Sequence, residues 1–241
     1  MPDYRYIRND INEISTGMPL YHLILTGIAM GDGKTHTAYK RANVSKEVGD
    51  KAIEELCNLG IIKLEKSKKV FTSWAEEDKE KISNKLYFTS PFLRFWFAFV
   101  SPLFKGIKEG DYKEIQERFL NREKEFTNLV FEQLSQEFLK LSFSDDKIIE
   151  CSSYWDNNIE LEIYAKTKSG KTIVGVCKYI NTKVKKSEFT KLQEKSLQAK
   201  IKADIFVIFS KKGFSSELKS LKSETLKLYT VKSFKKLVEN G

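Results

Sequence analysis

Two short segments bring together residue types that can act on phosphate esters. Glu160-Leu-Glu162-Ile163 alternates in the manner of a half-buried strand, and Val174-Gly-Val176-Cys-Lys178 continues a short apolar run. Side chains two apart on a strand share a face, so Glu160 and Glu162 project together, and Val176 projects with Lys178. Carboxylates on adjacent strands can gather Mg²⁺, which prefers oxygen ligands in octahedral geometry. The metal then polarises a phosphate and activates water, while a lysine steadies the attacking hydroxide. Without Lys178, the two glutamates would read as a solvated strand face.

The elements that must position these groups follow from periodicity. Residues 1–18 are polar and turn-rich and form an expected arm. A winged-helix domain is expected over 19–88. Its first helix is Pro19–Met30, with Leu20, Leu23, Ile24 and Ile28 on one face. Thr35 or Thr37 starts a second helix running to Ala42. Ser45 caps a third, with Val48, Ala52, Ile53 and Leu56 as its stripe, and Gly60 stands where a C-terminal glycine belongs. Ile61–Leu64 and Lys85–Phe88 are strand-like. Lys66–Lys69 is a turn between them, with Val70-Phe71 expected to return, and the loop Glu76–Lys81 is charged. Residues 89–120 are expected as connecting helices: Phe92–Phe99, read as an interdomain core, and about Tyr112–Leu120. A longer helix, about Glu123–Leu141, opens an α/β domain over 121–241 and buries Phe126, Leu129, Val130, Leu134 and Phe138. Strands at Ile159–Tyr164, Thr172–Cys177 and Ala203–Phe209 follow, with a helix at about Lys186–Lys200 that turns Phe189, Leu192 and Leu197 inward. The fold class is α/β, α+β overall, with a crossover in the sheet.

Several segments in this order resemble the C-terminal part of the archaeal-type (DEXX-box) P-loop ATPases. They are Ser90-Pro-Phe-Leu-Arg-Phe-Trp-Phe-Ala-Phe-Val100, Phe131-Glu132, Tyr154-Trp155 with Glu160-Leu-Glu-Ile163, Gly175-Val-Cys-Lys178, and Phe209-Ser-Lys-Lys-Gly-Phe-Ser-Ser-Glu-Leu218. The resemblance implies a winged helix joined to a restriction-endonuclease-like domain of the PD-(D/E)XK type. It also implies Glu132, Glu162 and Lys178 as the residual catalytic set. Glu162 stands where the family carries Asp. The acid of the family's Glu-Cys-Lys is Val176 here, which removes a ligand and lines the site with hydrocarbon. The expectation is therefore a pseudo-nuclease, with no cofactor unless a site survives. In that case Glu162 would hold Mg²⁺, and Glu160, Glu188 or Glu194 could supply the missing carboxylate. The ATPase portion is missing from this sequence. Gly27-Ile-Ala-Met-Gly-Asp-Gly33-Lys34-Thr35 is not a phosphate loop: five residues separate the glycines where the motif has four. That segment reads instead as the turn between the first two helices.

Charge is uneven. Residues 1–120 carry 19 Lys+Arg and 17 Asp+Glu, residues 121–163 carry 4 and 10, and residues 164–241 carry 19 and 6, so the net +9 is +2, −6 and +13 in sequence order. A one-sided basic field attracts polyanions; the plain alternative is a lysine-rich solvated surface. Expected nucleic-acid contacts are Lys40, Arg41, Lys46, Lys51, Lys66, Lys68 and Lys69 in the winged helix, and Lys183, Lys185, Lys186 and Lys191 beyond it. The third helix also exposes Glu47, Asp50, Glu54 and Glu55, a weak surface for phosphate. Cys57, Cys151 and Cys177 are odd in number and widely spaced, against a disulfide framework and for a reducing, cytoplasmic compartment. No apolar run reaches the roughly 18–20 residues of a membrane helix, and no secretory leader is evident. Three functions remain: a DNA-associated protein that does not cut, an active Mg²⁺-dependent nuclease, and a partner of a separately encoded ATPase.

Overall fold

Apolar periodicity places helices first and strands later, and the computed structural model, which describes residues 17–71 and 82–239, has that mixed α/β order. All but the last two residues of the expected arm, and the loop 76–81, lie outside the described residues. Contact density divides the chain into two units. One comprises 1–67 and 81–122, the other 68–80 and 123–241.

The first unit begins with α1 (Pro19–Met30), α2 (Thr35–Ala42) and α3 (Lys46–Asn58). Proline at its first position suits α1, because that N–H would have no partner in any case. Ser45 caps α3, its hydroxyl accepting from Val48 N–H at 3.4 Å. Gly49 lets α3 approach α2: a Cβ there would stand 2.5 Å from the Tyr39 ring. The strands β1 (Ile62–Glu65) and β2 (Lys85–Phe88) pair antiparallel, Ile62 opposite Phe88 and Glu65 opposite Lys85. Val70-Phe71 forms no strand; the partner of β1 is β2. Gly33, at φ +76°, sits in the α1–α2 turn, and Gly27 lies inside α1, so the false phosphate loop is helix and turn.

Next come α4 (Pro91–Phe95), a π-helical turn over Trp96–Val100, a 3₁₀ turn over Ser101–Leu103, and α5 (Phe104–Lys108). Phe97 and Phe99 are almost wholly buried, each stabilising by about 1.5–3 kcal/mol relative to exposure. Rings packed against this segment include His22, Phe88, Phe104 and Phe119. These four rings lie within the first unit and help to build its core.

One helix, α6 (Lys113–Ser142), replaces the two expected over 112–120 and 123–141. No proline or glycine separates Leu120 from Glu123, so nothing breaks the hydrogen-bond ladder. Its later turns belong to the second unit, where Phe131, Phe138 and Leu139 are buried while Leu134 is exposed.

The second unit is built on a sheet of β3 (Ile148–Trp155), β4 (Glu160–Thr167), β5 (Thr172–Lys178), β6 (Ile205–Ser210) and β7 (Leu226–Thr230), in that spatial order. The pairs β3–β4 and β4–β5 are antiparallel; β5–β6 and β6–β7 are parallel. The crossover from β5 to β6 carries α7 (Lys186–Gln198), and α8 (Ser216–Ser220) lies between β6 and β7. The last described elements are a 3₁₀ turn over Val231–Phe234 and α9 (Lys235–Glu239). One core joins Phe131, Phe138 and Leu139 of α6 to Ile163, Ile173, Val207 and Phe209. A second joins Leu192 of α7 and Leu218 of α8 to Leu161, Val174, Val176 and Ile208. Leu197 lies outside that second core and is exposed. Gly175 permits close packing of β5 on β6, since a Cβ there would stand 2.3 Å from a Val207 methyl.

Candidate functional site

Alternation along β5 puts Val174, Val176 and Lys178 on one face, the face covered by α7 and α8. Val176 is 6% exposed and packed among Leu161, Val184, Leu192, Ile208, Phe214 and Leu218. Hydrocarbon therefore fills the position from which the resemblance would have a carboxylate reach a metal.

Two residues further on, at the strand's end, Lys178 is held by α7. Its Nζ is 2.9 Å from Glu188 Oε2, and Lys191 Nζ donates to the other oxygen, Oε1, at 3.0 Å. Lys178 and Glu188 are both half-buried. Burial alone would raise the Glu188 pKa; the hydrogen bonds from Lys178 and Lys191 outweigh it, and the carboxyl stays below its ordinary value. Glu188 also lies in the first turn of α7, where a negative charge is favoured. Lys178 thus meets Glu188 of α7 rather than bonding Glu162.

Glu162 sits at a β-bulge. Ser152 pairs with Tyr164 and Tyr154 with Leu161, so two residues of β4, Glu162 and Ile163, stand opposite the single Ser153 of β3. Bulges re-aim a side chain next to functional sites. Here the bulged Glu162 carbonyl accepts from Gln136 Nε2 of α6 at 2.9 Å. Burial raises the Glu162 pKa, and the nearby charges of Lys178 and Lys195 only partly offset it. Glu132 lies one helical turn before Gln136 on α6. Cys177 is buried; burial pushes its thiol well above the ordinary value, and the charges of Glu162 and then Glu132 add to that. The structure therefore brings Glu132 and Glu162 into electrostatic reach of one buried thiol.

This set does not fit a magnesium ion. Val176 offers no oxygen, and among the described residues no group of three or more His, Cys, Asp or Glu side chains could hold a metal.

The expected nucleic-acid contacts are dispersed. Lys40 and Arg41 are exposed in the last turn of α2, and Lys51 and Lys66 are exposed. Lys46 is neutralised by Asp50, 2.5 Å away, which also accepts from the Tyr39 hydroxyl at 2.6 Å. Lys68 and Lys69 belong to the second unit; Lys68 pairs with Glu150, and Lys69 lies 5.5 Å from the Phe71 ring centre. Lys183 and Lys185 are exposed before α7, Lys186 pairs with Glu217 at 3.3 Å, and Lys191 is the second cation on Glu188. No helix among the described residues is long and apolar enough to cross a membrane. The pattern of expected contacts omits a further set of lysines, Lys166, Lys200 and Lys202, which line a cleft near the start of β5. They come from three positions on two segments, so no local spacing announces them.

The search of curated proteins and that of solved structures each returned no match. A family model, DUF234, described as archaeal and bacterial proteins of unknown function, matches residues 96–192, the stretch that contains Phe131-Glu132, Glu160–Ile163 and Gly175–Lys178.

Proposed function

We propose that this chain is a nucleic-acid-associated protein whose nuclease-like unit binds without cutting. The observation that carries this reading is the pairing of a +13 terminal third, residues 164–241, with a buried valine at the acid position. Cations that release counterions from a phosphate backbone supply affinity without sequence preference. Catalysis of phosphodiester cleavage, in contrast, needs a metal held by several oxygens, and Val176 takes one of those places. Exposed Lys183 and Lys185 beside α7 in the second unit, and Lys40, Arg41, Lys51 and Lys66 in the first, are among the surface cations available to the backbone.

The test is a mobility-shift titration on duplex, single-stranded and branched DNA from low to moderate salt, with the same samples incubated with Mg²⁺ or Mn²⁺. Binding that weakens steeply with salt, with the DNA intact, is the expected result. No binding at low salt ends the reading. Metal-dependent cleavage abolished by Lys178→Ala would replace it with the nuclease reading, using Glu132, Glu162 and Lys178.

The resemblance to the C-terminal part of the DEXX-box ATPases supports a second partner, a separately encoded ATPase chain. Its support is the ordered run of motifs from Ser90 to Leu218. Copurification of the tagged chain with such a protein is the expected outcome, and recovery of the chain without one counts against it.

A further inference from the structure

At the end of the sheet where β5 begins and α7 finishes, the second unit contains a cleft of about 530 Å³, a size suited to a small ligand. Five lysines line it: Lys68, Lys69, Lys166, Lys200 and Lys202. Lys68 is committed to Glu150 and Lys69 lies near Phe71. Lys166, Lys200 and Lys202 make no ion pair among the described residues. Asp156 is the one carboxylate in the lining, and it is spent locally. Its Oδ1 accepts from Asn158 N–H and Ile159 N–H, both at 2.7 Å, and its Oδ2 from the Tyr154 hydroxyl at 3.4 Å. Like charges gathered round one cavity repel each other, and an anion bound there relieves that repulsion.

The backbone adds an independent sign. The loop after α7 closes the helix as a Schellman motif: Ile201 N–H bonds the Ser196 carbonyl at 2.9 Å and Lys200 N–H the Leu197 carbonyl at 3.0 Å. The residue in the left-handed position of that motif is ordinarily glycine. Here it is Lys200, at φ +58°, a conformation that a side chain makes less favourable. That strained position carries one of the unpaired ammonium groups into the cleft wall. Beside the lysines, the partly exposed ring of Tyr164 lines the same cavity, its centre 6.3 Å from that of Tyr154. Cations next to an aromatic face match a phosphate attached to a base.

The geometry points to a nucleotide-binding cleft in which Lys166, Lys200 and Lys202 hold phosphate groups and Tyr164 supports the base. This deepens the nucleic-acid reading above and rests on it only for the source of the nucleotide, a strand or a free nucleoside phosphate.

The experiment titrates the full chain at low salt, by calorimetry or anisotropy, with ATP, inorganic tripolyphosphate, a labelled oligothymidylate and a labelled duplex. Lys166→Gln/Lys202→Gln is expected to weaken ATP and oligothymidylate by about tenfold or more, two charge-assisted bonds being lost. Lys200→Gly removes a charge while relaxing the backbone, so affinity falls with Tm unchanged or raised; that pairing separates loss of a site from loss of fold. Tyr164→Leu is expected to weaken ATP about tenfold and leave tripolyphosphate unchanged. Wild-type protein that binds none of the probes overturns the cleft. So does binding of any probe that all these variants leave unchanged, even when duplex binding upholds the broader reading. ATP binding that the variants weaken, with no oligonucleotide bound, keeps the cleft and ends the nucleic-acid reading.

Discussion

The two ends of β5 are both lined with lysine, and they differ in what faces it. At the end of the strand, Lys178 and Lys191 share the two oxygens of Glu188, above a floor of Val176, Leu192 and Phe214. At the start, Lys166, Lys200 and Lys202 surround a cavity whose only lining carboxylate among the described residues is occupied by its own turn. The six residue-to-residue steps along β5 from Thr172 to Lys178 separate the ends by about 20 Å, at roughly 3.3 Å per step. The motif-bearing end is thus internally neutralised and packed, while the end without a motif keeps uncompensated charge. Similar side chains serve the fold at one end and remain open to a ligand at the other, and the nearest carboxylate decides which.

The sharpest way to break this comparison is Val176→Glu. If the motif end is packed hydrocarbon, a carboxylate forced into a site 6% exposed leaves an unpaired buried charge, and the expected loss of stability in chemical denaturation is about 3–5 kcal/mol. A folded variant that gains Mg²⁺-dependent cleavage would show instead that the end is a site lacking one ligand. Smaller effects attend the ion pair itself. Glu188→Gln leaves Lys178 half-buried opposite a neutral amide, and about 1 kcal/mol of stability at neutral pH is expected to go. The pH dependence has a definite sign. The folded Glu188 pKa lies below its unfolded value, so its contribution is complete above the unfolded value near 4.5 and is lost as pH falls through the lower folded one. Urea titrations of wild type and Glu188→Gln should therefore converge in acid; a constant gap would assign the effect to packing.

How much of this was legible in the sequence depends on the range of the interaction. The cap at Ser45, the helix Pro19–Met30 and the strand Lys85–Phe88 were readable because caps and periodicity are local. The join of 112–120 to 123–141 into one helix was legible in retrospect, since no breaker intervenes. β3 and β7 were missed: Ile148–Trp155 mixes serine and glutamate with apolar residues, and Leu226–Thr230 alternates over only five residues. Both lie at the edges of the sheet, where one-sided pairing relaxes the pattern. Valine at position 176, where the resemblance implies an acid, was readable in the sequence, as was Glu188 as a nearby carboxylate. Its engagement with Lys178 depended on how α7 returns across the sheet, which no spacing encodes. The grouping of Lys166, Lys200 and Lys202 around one cleft was invisible for the same reason.

Glu162 sharpens the contrast from within the motif end. Burial raises its pKa despite Lys178 and Lys195, so the folded state holds its proton more tightly than the unfolded one. Ionisation above about pH 4.5 therefore costs stability, the opposite sign to Glu188. Glu162→Gln is expected to raise Tm at neutral pH and to have little effect in acid. A lower Tm at neutral pH would mean that the charge is compensated by a partner, as a working site requires.

The smallest expected effects compare single lysines. Lys186 pairs with Glu217 at 3.3 Å between two exposed side chains, and such pairs contribute little. Lys186→Gln should leave stability and the salt dependence of oligothymidylate binding nearly unchanged. Lys202→Gln, removing a cation with no ion pair among the described residues, should flatten the slope of log K against log salt by about 0.7, the value for one phosphate contact on a single strand. Equal slopes for the two variants would mean that the strand samples the whole cationic surface, and the distinction between neutralised and uncompensated lysines would then carry no functional weight.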